Sequence, residues 1–95
     1  MATVGVLTLE LRLEHAHSLK DKRQVVQSLK ERLRRKFNVA VAEIDGQEMW
    51  QRATVAAVTV SPSHDFAAKV LQSVEQEAAS LLGPSLADAT VEWLA

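Results

Sequence analysis

Residues Val4 to Leu13 alternate. Leu7, Leu9, Leu11 and Leu13 point one way, and Thr8, Glu10 and Arg12 point the other. Period two over ten residues describes a half-buried strand, with one face packed on a core and one left to water or a partner. A chain holding such a strand must supply a layer to cover the apolar face, and the rest of the sequence supplies it.

Ser18 follows the short connection His15-Ala16-His17 and is a good helix N-cap, with Asp21 three residues on as the acid of a capping box. The helix it opens runs to about residue 36, with Leu19, Val26, Leu29, Leu33 and Phe37 forming one apolar stripe. Asn38 to Asp45 and Arg52 to Val60 read as strands, and the short Gly46–Gln51 connection makes them an antiparallel hairpin. Ser63 caps a second helix over residues 64–82, expected to bury Phe66, Val70, Val74 and Ala78 and to stop at Gly83-Pro84. Ala89 to Leu94 is the last strand. The order β-α-β-β-α-β predicts an α+β fold, a two-layer ferredoxin-like sandwich. Two helices would cover one face of a four-stranded antiparallel sheet, in strand order 4-1-3-2.

Ninety-five residues make one such domain, spanning 1–95, with enough chain for one core. The absence of cysteine excludes disulfides and thiolate metal sites. No apolar stretch approaches the ~20 residues of a membrane span, and Met1 to Glu10 lacks the basic start of a secretory signal. The expected location is cytoplasmic, with no membrane partner.

The net charge of −1 conceals a division. Lys20, Lys22, Arg23, Lys30, Arg32, Arg34, Arg35 and Lys36 are eight of the eleven basic residues, and with only Asp21 and Glu31 among them the first helix carries +6. Lys20, Arg23, Lys30 and Arg34, with Gln27 between, share one flank beside the apolar stripe. They form a ribbon of charge suited to phosphates, and Arg35 is a further candidate contact. Lys22 is out of place, since its angle sets it among Val26, Leu29 and Leu33. A lysine there must snorkel out or meet an acid, with Glu43 or Glu10 in reach.

The topology gathers His17, Lys22, Trp50, Gln51 and Arg52 at one end, the top, with Glu43 just beneath. That cluster is the place for any chemistry. His15-x-His17 lacks metal-ligand spacing and carboxylate company, so no metal site is expected. No nucleophile elbow or glycine-rich phosphate loop is present, and no cofactor is expected. Strands one and three lack the aromatics of an RNA-stacking sheet, and no GXXG loop occurs. Any RNA should therefore meet the basic helix, and no DNA sequence readout is expected. Trp50, in a turn, either packs over the hairpin or anchors an interface.

The block His17-Ser18-Leu19-Lys20-Asp21-Lys22-Arg23, then Leu29-Lys30-x-Arg32-Leu33, Phe37-Asn38-Val39-x-Val41-Ala42-Glu43 and Trp50-Gln51-Arg52-Ala53 resembles the YlxP-like family. The opening Val4-Gly5-Val6-Leu7 resembles it too. The likeness is close over about residues 1–60 and looser beyond. Asp21, a glutamate in many relatives, and the Gly46–Met49 turn depart from the pattern. The resemblance implies a ferredoxin-like fold in a small bacterial protein of undetermined function, encoded among genes for transcription termination, translation initiation and ribosome maturation. That neighbourhood implies an RNA- or ribosome-linked role by association.

Three readings follow. The first is a non-enzymatic module docking structured RNA or a ribonucleoprotein through the basic helix. The second is a homodimeric interaction domain using the uncovered sheet face, with Val6, Thr8, Glu10 and Arg12. The third is a small enzyme built on His17, Lys22 and Glu43.

Overall fold

A computed structural model describes residues 1–95. Strand β1 (Thr3–Arg12) leads to helix α1 (Leu19–Lys36), strands β2 (Ala40–Asp45) and β3 (Arg52–Ser61), helix α2 (His64–Leu82) and strand β4 (Leu86–Trp93). The sheet order is β2-β3-β1-β4 and every neighbouring pair is antiparallel. This is the expected ferredoxin-like α+β sandwich, with a single 3₁₀ turn at Gly83–Ser85 before β4.

Local chemistry sets the helix starts. Ser18 Oγ accepts from the Asp21 amide and Asp21 Oδ2 accepts from the His17 amide, so two otherwise orphaned donors are satisfied. Ser63 Oγ does the same for the Phe66 amide. Gly46, at φ 79°, turns the chain out of β2 in a conformation that disfavours a side chain.

Leu7, Leu9 and Leu11 of β1 are buried against Ala53, Val55 and Ala57 of β3 and beneath Val26, Leu29 and Leu33 of α1 and Leu71, Val74 and Ala78 of α2. Each fully buried leucine contributes about 1.5–3 kcal/mol. Gly5 belongs to this packing, because a Cβ there would lie 2.5 Å from Trp93 Cζ3 and 2.8 Å from Leu71 Cδ1. The bare backbone lets the Trp93 indole close over β1, where it also meets the His64 ring at 4.2 Å between centroids.

Three expectations need correction. Phe66 is 62% exposed, and α2 buries Ala67, Leu71, Val74, Ala78 and Leu82, with Val70 only partly covered. The true stripe lies one residue further round the helix, so the first-turn phenylalanine falls outside it. Strand β4 begins at Leu86, three residues earlier than expected, because the 3₁₀ turn reverses the chain within Gly83–Ser85. Strand β2 begins at Ala40, two residues later than expected, since the Phe37 carbonyl accepts from the Val39 amide.

No helix covers the other sheet face. Its lower half, built from Val4, Val6, Val58, Val60, Ala40 and Ala42, is largely apolar, and its upper half carries Glu10, Arg12, Arg52 and Asp88.

Candidate functional site

Lys22 sits on the core side of α1 at 1% exposure, among leucines and valines. Its Nζ lies 2.8 Å from Glu43 Oε2 and donates to the Gly46 carbonyl. Glu43 Oε2 takes no well-aligned hydrogen bond, so charge rather than hydrogen-bond direction holds the pair. Glu10 is on the opposite face of β1, where it accepts from Thr54 Oγ1 at 2.8 Å. The lysine thus ties α1 to the end of β2 and the turn after it.

The other cations of α1 divide by flank. Arg32 and Lys36 reach across to α2, at 3.2 and 2.9 Å from the two carboxylate oxygens of Glu77. The Lys36 hydrogen bond, then that of Arg32, holds the Glu77 carboxyl below its ordinary value. On the far flank the Arg34 guanidinium donates to the Val41 carbonyl of edge strand β2 at 2.8 Å. Lys20, Arg23 and Lys30 on that flank, and Arg35 on the solvent side, make no ion pair and no side-chain hydrogen bond. Gln27 between them donates to Glu31. A shallow groove runs along this flank, lined by Lys20, Arg23, Gln24, Gln27 and Lys30, with Glu43 at its wall.

The top-end polar cluster separates across the sheet. Lys22 and Glu43 meet on the core side. Gln51, opposite Leu13, receives that residue's amide on its backbone carbonyl at 2.9 Å. Trp50 and Arg52 line a cleft with Arg12 and Met49. Trp50 is 49% exposed, so it is not packed away over the hairpin. The His17 imidazole makes no hydrogen bond or ion pair with Lys22 or Glu43, and the three do not form one constellation. Arg12, absent from the sequence-based site, joins the cleft because it stands directly opposite Arg52. Alternation shows which face Arg12 is on, but its partner depends on the β1–β3 register.

These features define a two-layer ferredoxin-like domain with one cationic helix flank and an uncovered sheet face. Residues 4–90 match the family described as a protein of unknown function (DUF503), and the chain belongs to that family. It is 38% identical over 71 residues to the uncharacterized protein YlxP of Bacillus subtilis (strain 168), a match covering 75% of this chain and 77% of the relative. Similar folds occur in the de novo designed protein Foldit4 (TM-score 0.61, 12% identity, covering 100% of this chain and 98% of that one). They also occur in a dimeric ferredoxin-like protein of unknown function from Thermobifida fusca YX (TM-score 0.51, 18% identity, 97% and 91% covered). At these identities the likeness concerns the fold. No helix is long and apolar enough to cross a membrane.

Proposed function

We propose that this chain is a non-enzymatic binding module that docks structured RNA along the basic flank of α1. The observation that carries the reading is that Lys20, Arg23 and Lys30 keep their charges unpaired, whereas Lys22, Arg32 and Lys36 are matched to acids. Charge left unpaired along one groove is available to phosphates, and neutralising each phosphate releases a counterion. Arg34 adds its charge but is committed to Val41, so three cations are free to move onto a ligand. Three contacts correspond to a salt slope of about −2 to −3 in log affinity against log salt, with affinity of order 10⁻⁴–10⁻⁶ M near physiological salt. A titration with a structured RNA at several salt concentrations tests this. Lys20→Gln, Arg23→Gln and Lys30→Gln together should flatten the slope, and Arg35→Gln should change it little. No binding at low salt refutes the reading, and a slope unchanged in the triple variant removes α1 as the site.

A second reading is self-association through the open sheet face. Val6, Val58 and Val60 leave an apolar half uncovered, and the same face carries both arginines and acids that a second copy could match. The dimeric fold neighbour supports it at the level of the fold. Light scattering at micromolar concentration should then give twice the monomer mass, and a monomer there refutes it.

A further inference from the structure

The top of the open sheet face, on the side of the sheet away from α1, holds two arginines that make no ion pair with any acid of the chain. Arg12 and Arg52 are direct cross-strand partners. Leu13 donates to the Gln51 carbonyl, so that neighbouring pair is hydrogen-bonded and the Arg12–Arg52 pair is of the non-hydrogen-bonded kind. Side chains come closest in such pairs, and like charges placed opposite one another are destabilising.

The surrounding acids do not relieve this. Glu10 accepts from Thr54, and Asp88 accepts from the Ala89 amide. Glu14 and Glu48 line the cleft, yet neither makes an ion pair with either guanidinium. Trp50 lines the same cleft from the bend that leads into β3, two residues before Arg52. Half of its indole is free. The cleft is about 650 Å³, within the range of small-molecule sites.

We propose that Arg12, Arg52 and Trp50 form a mononucleotide-binding site. Two adjacent guanidinium forks hold one phosphate by paired N–H donors, and the base stacks on the indole. Glu14 and Glu48 accept from the exocyclic amine of the base, which favours an amino-bearing base over uracil. Two cations against two carboxylates leave the cleft neutral, so it suits a single phosphate with a base attached rather than a long phosphate backbone. This site stands apart from the α1 flank, and neither depends on the other.

Adenosine monophosphate, adenosine and inorganic phosphate are the probes, read by the two tryptophan indole N–H resonances, with Trp93 assigned through Trp93→Phe. The nucleotide should shift the Trp50 resonance saturably and leave Trp93 unmoved. Adenosine and phosphate alone should each bind about tenfold more weakly or worse, and uridine monophosphate should be weaker than the adenine nucleotide. Arg12→Gln and Arg52→Gln should each raise the half-saturation by about tenfold. Arg52→Lys, which keeps the charge and loses the fork, should also weaken binding. An oligonucleotide bearing a terminal phosphate separates two sources of the same chemistry. Equal binding assigns the site to strand ends, and weaker binding assigns it to free nucleotides. No saturable Trp50 shift up to about 1 mM nucleotide, or a shift unaffected by both glutamine variants, overturns the proposal.

Discussion

Replacing Lys22 by methionine keeps most of the side-chain volume and removes the charge, so the loss can be worked from its partners. Glu43 loses its counter-ion at 17% exposure, where water reaches part of the carboxylate. A stranded polar group of this kind costs about 1–3 kcal/mol. The Gly46 carbonyl keeps the Met49 amide, 3.0 Å away, and adds little to that loss. The reverse variant, Glu43→Leu, should cost at least as much, because the ammonium it strands is 1% exposed and cannot reach solvent without leaving the core. For a domain of this size each kcal/mol corresponds to about 4–8 °C in Tm. Urea unfolding followed by far-UV circular dichroism measures all three species, including Lys22→Met combined with Glu43→Leu. The double variant should be markedly more stable than the sum of the single losses, since the apolar pair leaves no charge behind. If Lys22→Met costs no more than Lys20→Met on the exposed flank, or the two losses simply add, the account of Lys22 as a buried tie is wrong.

Gly5→Ala forces a methyl into the space of Trp93 and Leu71 and should cost about 1–3 kcal/mol in chemical denaturation; a neutral result would show that the edge indole swings aside freely. Glu77 has a lowered carboxyl value, so its stabilising contribution is present above the ordinary 4.5 and fades as the pH falls through the folded value. Glu77→Gln should therefore be less stable than the parent at neutral pH and equal to it in strong acid, with the gap also shrinking in high salt, and a gap that persists in acid would contradict this. Val58→Lys puts a charge in the apolar half of the open face and should return any dimer to monomer in light scattering, and a dimer that persists in this variant refutes that half of the face as the interface.

Much of the fold is legible in short-range patterns. Ser18 and Ser63 mark where the helices begin, and the alternation of β1 shows which leucines are inside. The angle of Lys22 on α1 is enough to call for an acid, and Glu43 was one of two in reach. What escaped depends on relations between elements. Phe66 looked buried because a helical stripe can be phased a residue either way until the sheet beneath it is known. The division of the α1 cations follows from where Glu77 of α2 and the Val41 carbonyl of β2 come to lie, and neither position is written into the helix itself. Arg12 and Arg52 are forty residues apart, and their meeting depends on the exact register of β1 on β3.

The bond from Arg34 to the Val41 carbonyl has a consequence for assembly. Strand β2 is one border of the sheet, and that carbonyl is answered from within the chain, with α1 lying alongside. The opposite border, β4, has no element beyond it, and its Ala89 amide is taken up locally by Asp88. Sheets that add to one another indefinitely need two receptive borders, one to give and one to receive. With β2 guarded, the remaining border-to-border union is β4 against β4 of a second copy, a contact that uses the same surface twice and leaves none over. Growth of that kind would stop at two, and the Arg34 bond, by occupying an edge carbonyl, works against addition at the β2 border.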